Sequence, residues 1–327
     1  MDLVKNLNVK FEEILSAGDA KIEMKQLTDD MLKAKMLMKG KPFPTFLKPY
    51  FLDVKNKKVF RHATELIISA CEKVGNAFFS DTRFNNLLEM RPRVAEFANI
   101  DPVYPNRQIV ARLDAFFTPE TNDLKFLEFN TDSPCGMGWH DRMVDMFEVL
   151  PSIQSLKKEF SFNSDKFTDT LAKCFQKKYK QWCENKGITP KENPHFVIST
   201  VRESTILDDL QIIRDIFIDK GIRASWNDPR EFVTKDGVLY TKDGQEVDLI
   251  FRDDNQEFLS DENYPKAIDA NEAIRNKKVP LINPFSARVG GLKSVLGIMS
   301  DEIFQSLFTE EERSEEHTSE LQSLLII

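Results

Sequence analysis

Residues 109–130 read IVARLDAFFTPETNDLKFLEFN, and the fold is decided by how the two halves of this stretch face each other. Segments 109–117 and 124–130 are rich in β-branched and aromatic residues, and Thr118-Pro119-Glu120-Thr121-Asn122-Asp123 between them is turn-forming. The pattern predicts an antiparallel hairpin. Paired residues in a hairpin share a constant sum of numbers, so a turn centred on Thr121 sets Asp114 opposite Glu128 and Arg112 opposite Asn130. Side chains alternate between faces along a strand. All four polar groups then share one face, and Ile109, Leu113, Phe117, Leu127 and Phe129 form the expected core face.

This register opposes two carboxylates, which sheets normally avoid. At about 4–5 Å and an effective dielectric near ~20, the repulsion is about 3–4 kcal/mol. A shared proton, a cation or a slipped register would relieve it. Asp114, Glu128 and the Asn130 amide make an all-oxygen set of the kind that suits Mg²⁺. Arg112 beside them is the residue type that holds phosphate through two parallel hydrogen bonds. A solvated hairpin face with an incidental ion pair fits the same spacing, and spacing alone does not choose between the two.

The rest of the chain limits the options. Its 327 residues can bury a large core, and 41% hydrophobic with 30% charged residues is an ordinary soluble composition. Lys plus Arg number 45 against 53 Asp plus Glu, a net charge of −8 that argues against a nucleic-acid-binding surface while leaving room for a local basic pocket. Cys71, Cys135, Cys174 and Cys183 have no CxxC spacing and no histidine partners, so they read as reduced thiols without zinc. The N-terminus lacks the order of a signal peptide, and no apolar run approaches the ~20 residues of a membrane span. The expectation is a cytoplasmic protein with no membrane and no nucleic-acid partner; its oligomeric state is not readable.

Residues 1–95 carry apolar positions at three and four spacing in 27–38, 64–74 and 84–90, which predicts a helical layer, with Pro92 ending the last helix. After the hairpin comes Thr131-Asp132-Ser133-Pro134-Cys135-Gly136-Met137-Gly138-Trp139-His140, a loop leading into a helix from about Asp141. Gly136-x-Gly138 is not a dinucleotide fingerprint, because Asp141 stands at the third glycine position. A glycine-rich loop at a helix start can still offer backbone N–H groups to an anion. His140 is expected to order the helix that follows, and Cys135 to be a bystander thiol.

From 167 onward the pattern alternates. Helices are expected at 167–186, 206–220 and 265–277, with strands at 195–200, 222–226, 238–240, 247–251 and 279–283. This predicts a parallel α/β unit, with Glu203, Arg252 and Asn283 at or just after strand C-termini, where active groups gather. Lys293-Ser294 is not a P-loop, since Leu292 stands where glycine is required, but Lys293 at a helix start could reach a phosphate. The organisation read from the sequence is a helical region 1–95, a hairpin and glycine-loop part 96–165, an α/β domain 166–290 and a nucleotide-binding part beginning at 291–312.

Taken in order, Arg112-Leu113-Asp114, the block 125–134 (KFLEFNTDSP) and the 279–296 segment resemble the circularly permuted ATP-grasp proteins, of which glutathionylspermidine synthetase is the best known. The resemblance implies an α/β (α+β) fold with the 166–290 unit as a pre-ATP-grasp-like domain. It implies ATP-dependent ligation of a small carboxylate to an amine through an acyl phosphate, with ATP and Mg²⁺ as cofactors. Asp114, Glu128 and Asn130 would be metal ligands and Arg112 the catalytic cation on the transferring phosphoryl group. Lys293, Arg252, Gly136 and Gly138 would bind the nucleotide. A phosphotransferase on the same site and a non-catalytic nucleotide or small-molecule binding protein are the alternatives.

The end of the chain is of another kind. Residues 313–323 (RSEEHTSELQS) can be encoded by consecutive codons of a widely used sequencing-library adapter. The expectation is that 313–327 is a non-native tail, that the natural product continues past Glu312, and that this chain is an inactive fragment lacking the nucleotide lid.

Overall fold

The structure, a computed structural model, describes residues 3–316 apart from 85, 86, 89, 119, 120 and 122. Most of the proposed tail, from 317 on, lies outside the described residues.

The N-terminal part is helical, as its periodicity predicts. α1 (Leu3–Ala17) buries Leu7 and Phe11, one turn apart. α2 (Ala20–Lys33) is capped by Asp19, whose carboxylate accepts from the backbone N–H groups of Lys21 and Ile22. It stops at Lys33, before the 27–38 pattern ends, and Leu37–Met38 (β1) and Lys41–Pro42 (β2) turn back as a two-stranded ribbon. The predicted 64–74 helix is the middle of a longer one, α3 (Val54–Ser80), capped by Asp53 and burying Ala63, Ile67, Ala70, Cys71, Val74 and Ala77 along one stripe. Of the predicted 84–90 helix, Phe84 ends a 3₁₀ turn (Thr82–Phe84), and residues 85, 86 and 89 lie outside the described residues. Pro92 starts a helix instead of ending one. It occupies the first turn of α4 (Pro92–Ala98), where its missing N–H is no loss.

The hairpin strands are β3 (Arg112–Thr118) and β4 (Asp123–Asn130). α5 (Met137–Glu148), α6 (Pro151–Leu156) and α7 (Phe167–Asn185) follow. The α/β unit then runs β5 (Phe196–Ser199), α8 (Leu207–Asp219), β6 (Ala224–Asn227), a small ribbon of β7 (Val233–Lys235) and β8 (Val238–Tyr240), β9 (Leu249–Arg252), α9 (Gln256–Leu259), α10 (Ile268–Arg275) and β10 (Leu281–Ile282). α11 (Ser294–Ser300) and α12 (Glu310–Glu316) complete the described chain.

The central sheet is parallel, in the order β10-β9-β5-β6. Strands β5 and β9 are buried on both faces, as expected when helices cover each side, while the edge strand β6 is half-buried. On one face Val197, Ile250 and Leu281 pack with Phe97, Ala270 and Ile274 from α4 and α10. On the other, Phe196, Ile198, Leu249, Phe251 and Ile282 pack with Phe175 of α7 and Ile213 and Phe217 of α8. The chain goes from β5 out to β6 and then returns past β5 to β9, so the order reverses between β5 and β9. Beyond the C-terminal ends of these two strands lies the crevice where the hairpin loop docks.

The hairpin register is as predicted at the polar end. Arg112 pairs with Asn130 and Asp114 with Glu128. A bulge between Asp114 and Ala115 shifts the outer half by one residue, so Ala115 pairs with Phe126. The expected core face is corrected accordingly. The shift changes the alternation, so that Leu124, Phe126 and Phe129 are buried against α3 and α11 and Leu127 is not in that core. Ile109 precedes the strand and packs into the sheet's core instead.

Candidate active site on the hairpin face

The two opposed carboxylates are relieved from within the hairpin. Arg112 donates from Nε to Asp114 Oδ1 at 2.7 Å and from Nη2 to Asp114 Oδ2 at 3.2 Å. The Asn130 amide donates to Glu128 Oε1 at 3.1 Å. Each carboxylate is thus held by the residue two positions away on its own strand. The resident cation is Arg112, and its hydrogen bond with Asp114 pushes the guanidinium pKa further up.

Arg112 also reaches across to the loop. Its Nη1 donates to the Cys135 carbonyl at 3.2 Å and lies 3.4 Å from the Cys135 sulfur. Burial pushes the Cys135 thiol pKa up, and the neighbouring Arg112 opposes that only partly. This favours the bystander reading of Cys135 over a reactive thiolate.

The glycine loop does cradle an anion, but the anion belongs to the chain. Asp209, fully buried in α8, accepts from Gly136 N–H through Oδ2 at 2.7 Å and from Trp139 N–H through Oδ1 at 2.7 Å. Burial pushes this carboxyl up in pKa, while the N–H groups of Trp139, Gly136 and Gly138 pull it down. A Cβ at position 138 would come within 2.5 Å of the Asp209 carbonyl oxygen, which explains the glycine there. The N–H groups of Gly136 and Gly138, expected at a nucleotide phosphate, are engaged by Asp209 in this structure.

Arg252 is likewise engaged within the protein. Its side chain has no exposed surface and ion-pairs with Asp132 through Nη2. Nε donates to the Asn283 carbonyl at 2.9 Å, Nη1 to the Asp253 carbonyl at 2.8 Å, and the guanidinium lies 4.4 Å from the centre of the Phe285 ring. Asn283, also fully buried, accepts from the N–H groups of Ile109 and Val110 and donates to the carbonyls of Val110, Thr131 and Asp132. Asn255 donates to the other Asp132 oxygen at 2.7 Å. These residues form a clamp that fixes both ends of the hairpin on the sheet, and none of them offers a free group to a ligand.

Glu203 is exposed and pairs with Arg230 at 2.8 Å. His140 stacks on Phe167 and bonds Asp141, whose carboxylate caps α7 by accepting from the N–H groups of Phe167 and Thr168. It orders a helix, although that helix is α7 rather than the one that follows it. Lys293 stands exposed at the N-terminal boundary of α11, the one predicted nucleotide residue whose ammonium remains accessible. Among the described residues no group of three or more His, Cys, Asp or Glu side chains is gathered as a metal cage. The oxygen set that could hold a cation is thus two carboxylates and an amide.

Sequence reasoning missed Asp209 and Asp132. Asp209 reads as an ordinary acidic residue in the first turn of a helix, and nothing local marks it as the partner of a loop some 70 residues away. Asp132 lies inside the motif block, but its partner Arg252 is a sheet residue that only tertiary structure brings near.

No protein-family profile matches the chain. No curated protein matches it either. Among solved structures 45 chains match. One is a glutathione synthetase-like effector from Globodera pallida in its apo form, with a TM-score of 0.59 and 13% sequence identity over 91% of the present chain and 70% of that one. The chain shares its fold with this effector. This agrees with the mixed α/β architecture expected from the sequence. Among the described residues no helix is long and apolar enough to cross a membrane.

Proposed function

We propose that the chain carries the metal and phosphate platform of an ATP- and Mg²⁺-dependent carboxylate–amine ligase, of the circularly permuted ATP-grasp type its motifs resemble. The observation that supports this most is the hairpin register, which puts Arg112, Asp114, Glu128 and Asn130 on one half-exposed face. That face belongs to a fold shared with the glutathione synthetase-like effector.

The donor set fits a hard cation, with a refinement of roles. Glu128 and Asn130 lie side by side, and with the amide nitrogen turned to Glu128, Asn130 Oδ1 is left as an acceptor. Both Asp114 oxygens are engaged by Arg112, so Asp114 acts first as the residue that positions the guanidinium. A bound Mg²⁺ would neutralise phosphate charge. Arg112 would hold the transferring phosphoryl oxygens and Lys293 would approach the nucleotide phosphates. Phosphoryl transfer depends mainly on such positioning and charge stabilisation. The substrates would be a small carboxylic acid and an amine, in a cytoplasmic setting.

Binding of nucleotide without turnover is the second reading. It is favoured by the engagement of both Asp114 oxygens by Arg112, which leaves one carboxylate and an amide oxygen for the cation that turnover would need. Calorimetric titration of this chain with ATP, with and without Mg²⁺, tests the platform. Mg²⁺-dependent affinity that falls by about tenfold or more in Glu128→Gln supports it. Affinity indifferent to both Mg²⁺ and the substitution would sink it. Release of ADP only when acid and amine are both present, with an acyl phosphate trapped by hydroxylamine, separates the ligase from the binding protein and from a phosphotransferase.

A further inference from the structure

Away from the hairpin face, α4 and α9 flank an open groove of about 540 Å³ lined by Arg91, Arg93, Glu96, Asn255, Gln256, Ser260 and Asp261, with Pro92, Val94 and Leu259 as its apolar wall. That volume suits a small organic molecule. We propose that this groove is a binding site for a small organic carboxylate, gripped by Arg91 with Gln256 and Ser260 as further donors.

The charges of the walls decide the ligand class. Arg93 is taken by Asp261 at 2.8 Å and by the Leu259 carbonyl at 2.9 Å, and its guanidinium stacks on Tyr264. Glu96 is taken by Arg275 at 2.9 Å. Arg91 is different, since its recorded hydrogen bond runs from Nη1 to the neutral Gln256 Oε1. No carboxylate among the described residues neutralises it. Gln256 accepts that bond and keeps its own N–H₂ for a ligand. Ser260 accepts from the Asn263 N–H, which leaves the hydroxyl proton to donate. One uncompensated guanidinium with an amide and a hydroxyl donor selects a single negative charge. The apolar wall suits a short aliphatic stem.

The back wall connects the groove to the hairpin. Asn255 is buried and donates to Asp132, the partner of Arg252 in the clamp. A ligand held against α9 would therefore bear on the residue that anchors the loop after Asn130.

The probe is sodium butyrate, titrated into the protein and followed by amide NMR shifts, with inorganic phosphate titrated separately. Saturable butyrate shifts at residues 91–96 and 255–261 are expected. In Arg91→Ala, and in Gln256→Glu, whose carboxylate would occupy the guanidinium, binding should weaken by about tenfold or more. Arg91 is exposed, so its replacement leaves the core intact. The proposal is overturned if no saturable shift occurs, if Arg91→Ala binds butyrate as the parent does, or if phosphate binds the same residues more tightly. None of these readouts involves ATP or Mg²⁺, so the groove and the ligase platform stand or fall separately.

Discussion

Two of the fold's arginine–aspartate pairs invite comparison, Arg112 with Asp114 on the hairpin and Arg252 with Asp132 beneath it. Each joins a guanidinium to a carboxylate, and each arginine bears on the 131–138 loop. The side chains of the first pair are 42% and 37% exposed; those of the second are 0% and 6% exposed. Burial separates what they can do. An exposed pair contributes little to stability because water and salt screen it, which leaves its charge available to a ligand. A buried pair that has lost its hydration must be satisfied inside the protein, and Arg252 meets three backbone carbonyls besides Asp132. The same two residue types thus make a candidate tool in one place and a fastening in the other.

Breaking the buried pair should have the largest effect. Arg252→Met strands the Asp132 carboxylate and is expected to cost about 3–5 kcal/mol in chemical denaturation. A loss below about 1 kcal/mol would show that the clamp carries no load. Asp209→Ala comes next. It leaves the N–H groups of Gly136 and Trp139 without an acceptor, for an expected loss of about 1–3 kcal/mol. Loosened protection of amides 136–139 in hydrogen exchange should accompany it. Arg112→Met is the sharpest contrast to Arg252→Met. Its stability cost should stay well below that of Arg252→Met while Mg²⁺-dependent ATP affinity falls. A stability loss as large as that of Arg252→Met would erase the distinction drawn here.

The difference between the pairs explains what could be read in advance. The polar end of the hairpin was legible because period-two alternation and a turn-forming run fix a register, and the register fixes which side chains meet. The bulge was not, because a single unpaired residue leaves the pattern of residue types almost unchanged while moving Leu124 and Phe126 into the core. The alternation of strands and helices after 167 gave the parallel sheet. Proximity to strand ends pointed correctly to where Arg252 and Asn283 lie but not to whether they are open, since burial is set by the loops that cover them. The glycine loop shows the same limit. Its capacity to hold an anion was readable from residue types, whereas the identity of that anion depended on α8 arriving beside it.

The last prediction concerns acids that are buried without a cationic partner of their own. Thr200 Oγ1 lies 3.1 Å from Asp253 and 2.9 Å from Glu257, and Ser204 adds a hydroxyl to Asp253 at 3.1 Å. Burial, reinforced by Asp253, pushes the Glu257 carboxyl far above the ordinary range, and burial raises Asp253 as well. The folded protein therefore keeps protons that the unfolded chain releases near pH ~4. Stability must fall as pH rises from there toward the raised values, because the native state binds more protons than the unfolded one. Glu257→Gln removes the ionisation while keeping an acceptor for the Val201 N–H. At pH 8 the variant should melt on the order of a few °C above the parent, and by pH 4 the two should converge. Asp141 does not blur the test. Burial raises it, but hydrogen bonds from His140, Thr168 and Phe167 prevail and hold it at about 2, so its contribution is lost only as the solution becomes more acidic than the range compared. A parent protein equally stable at pH 5 and pH 8, or a variant that melts lower at pH 8, would show that these two carboxyls are ionised and satisfied in the fold.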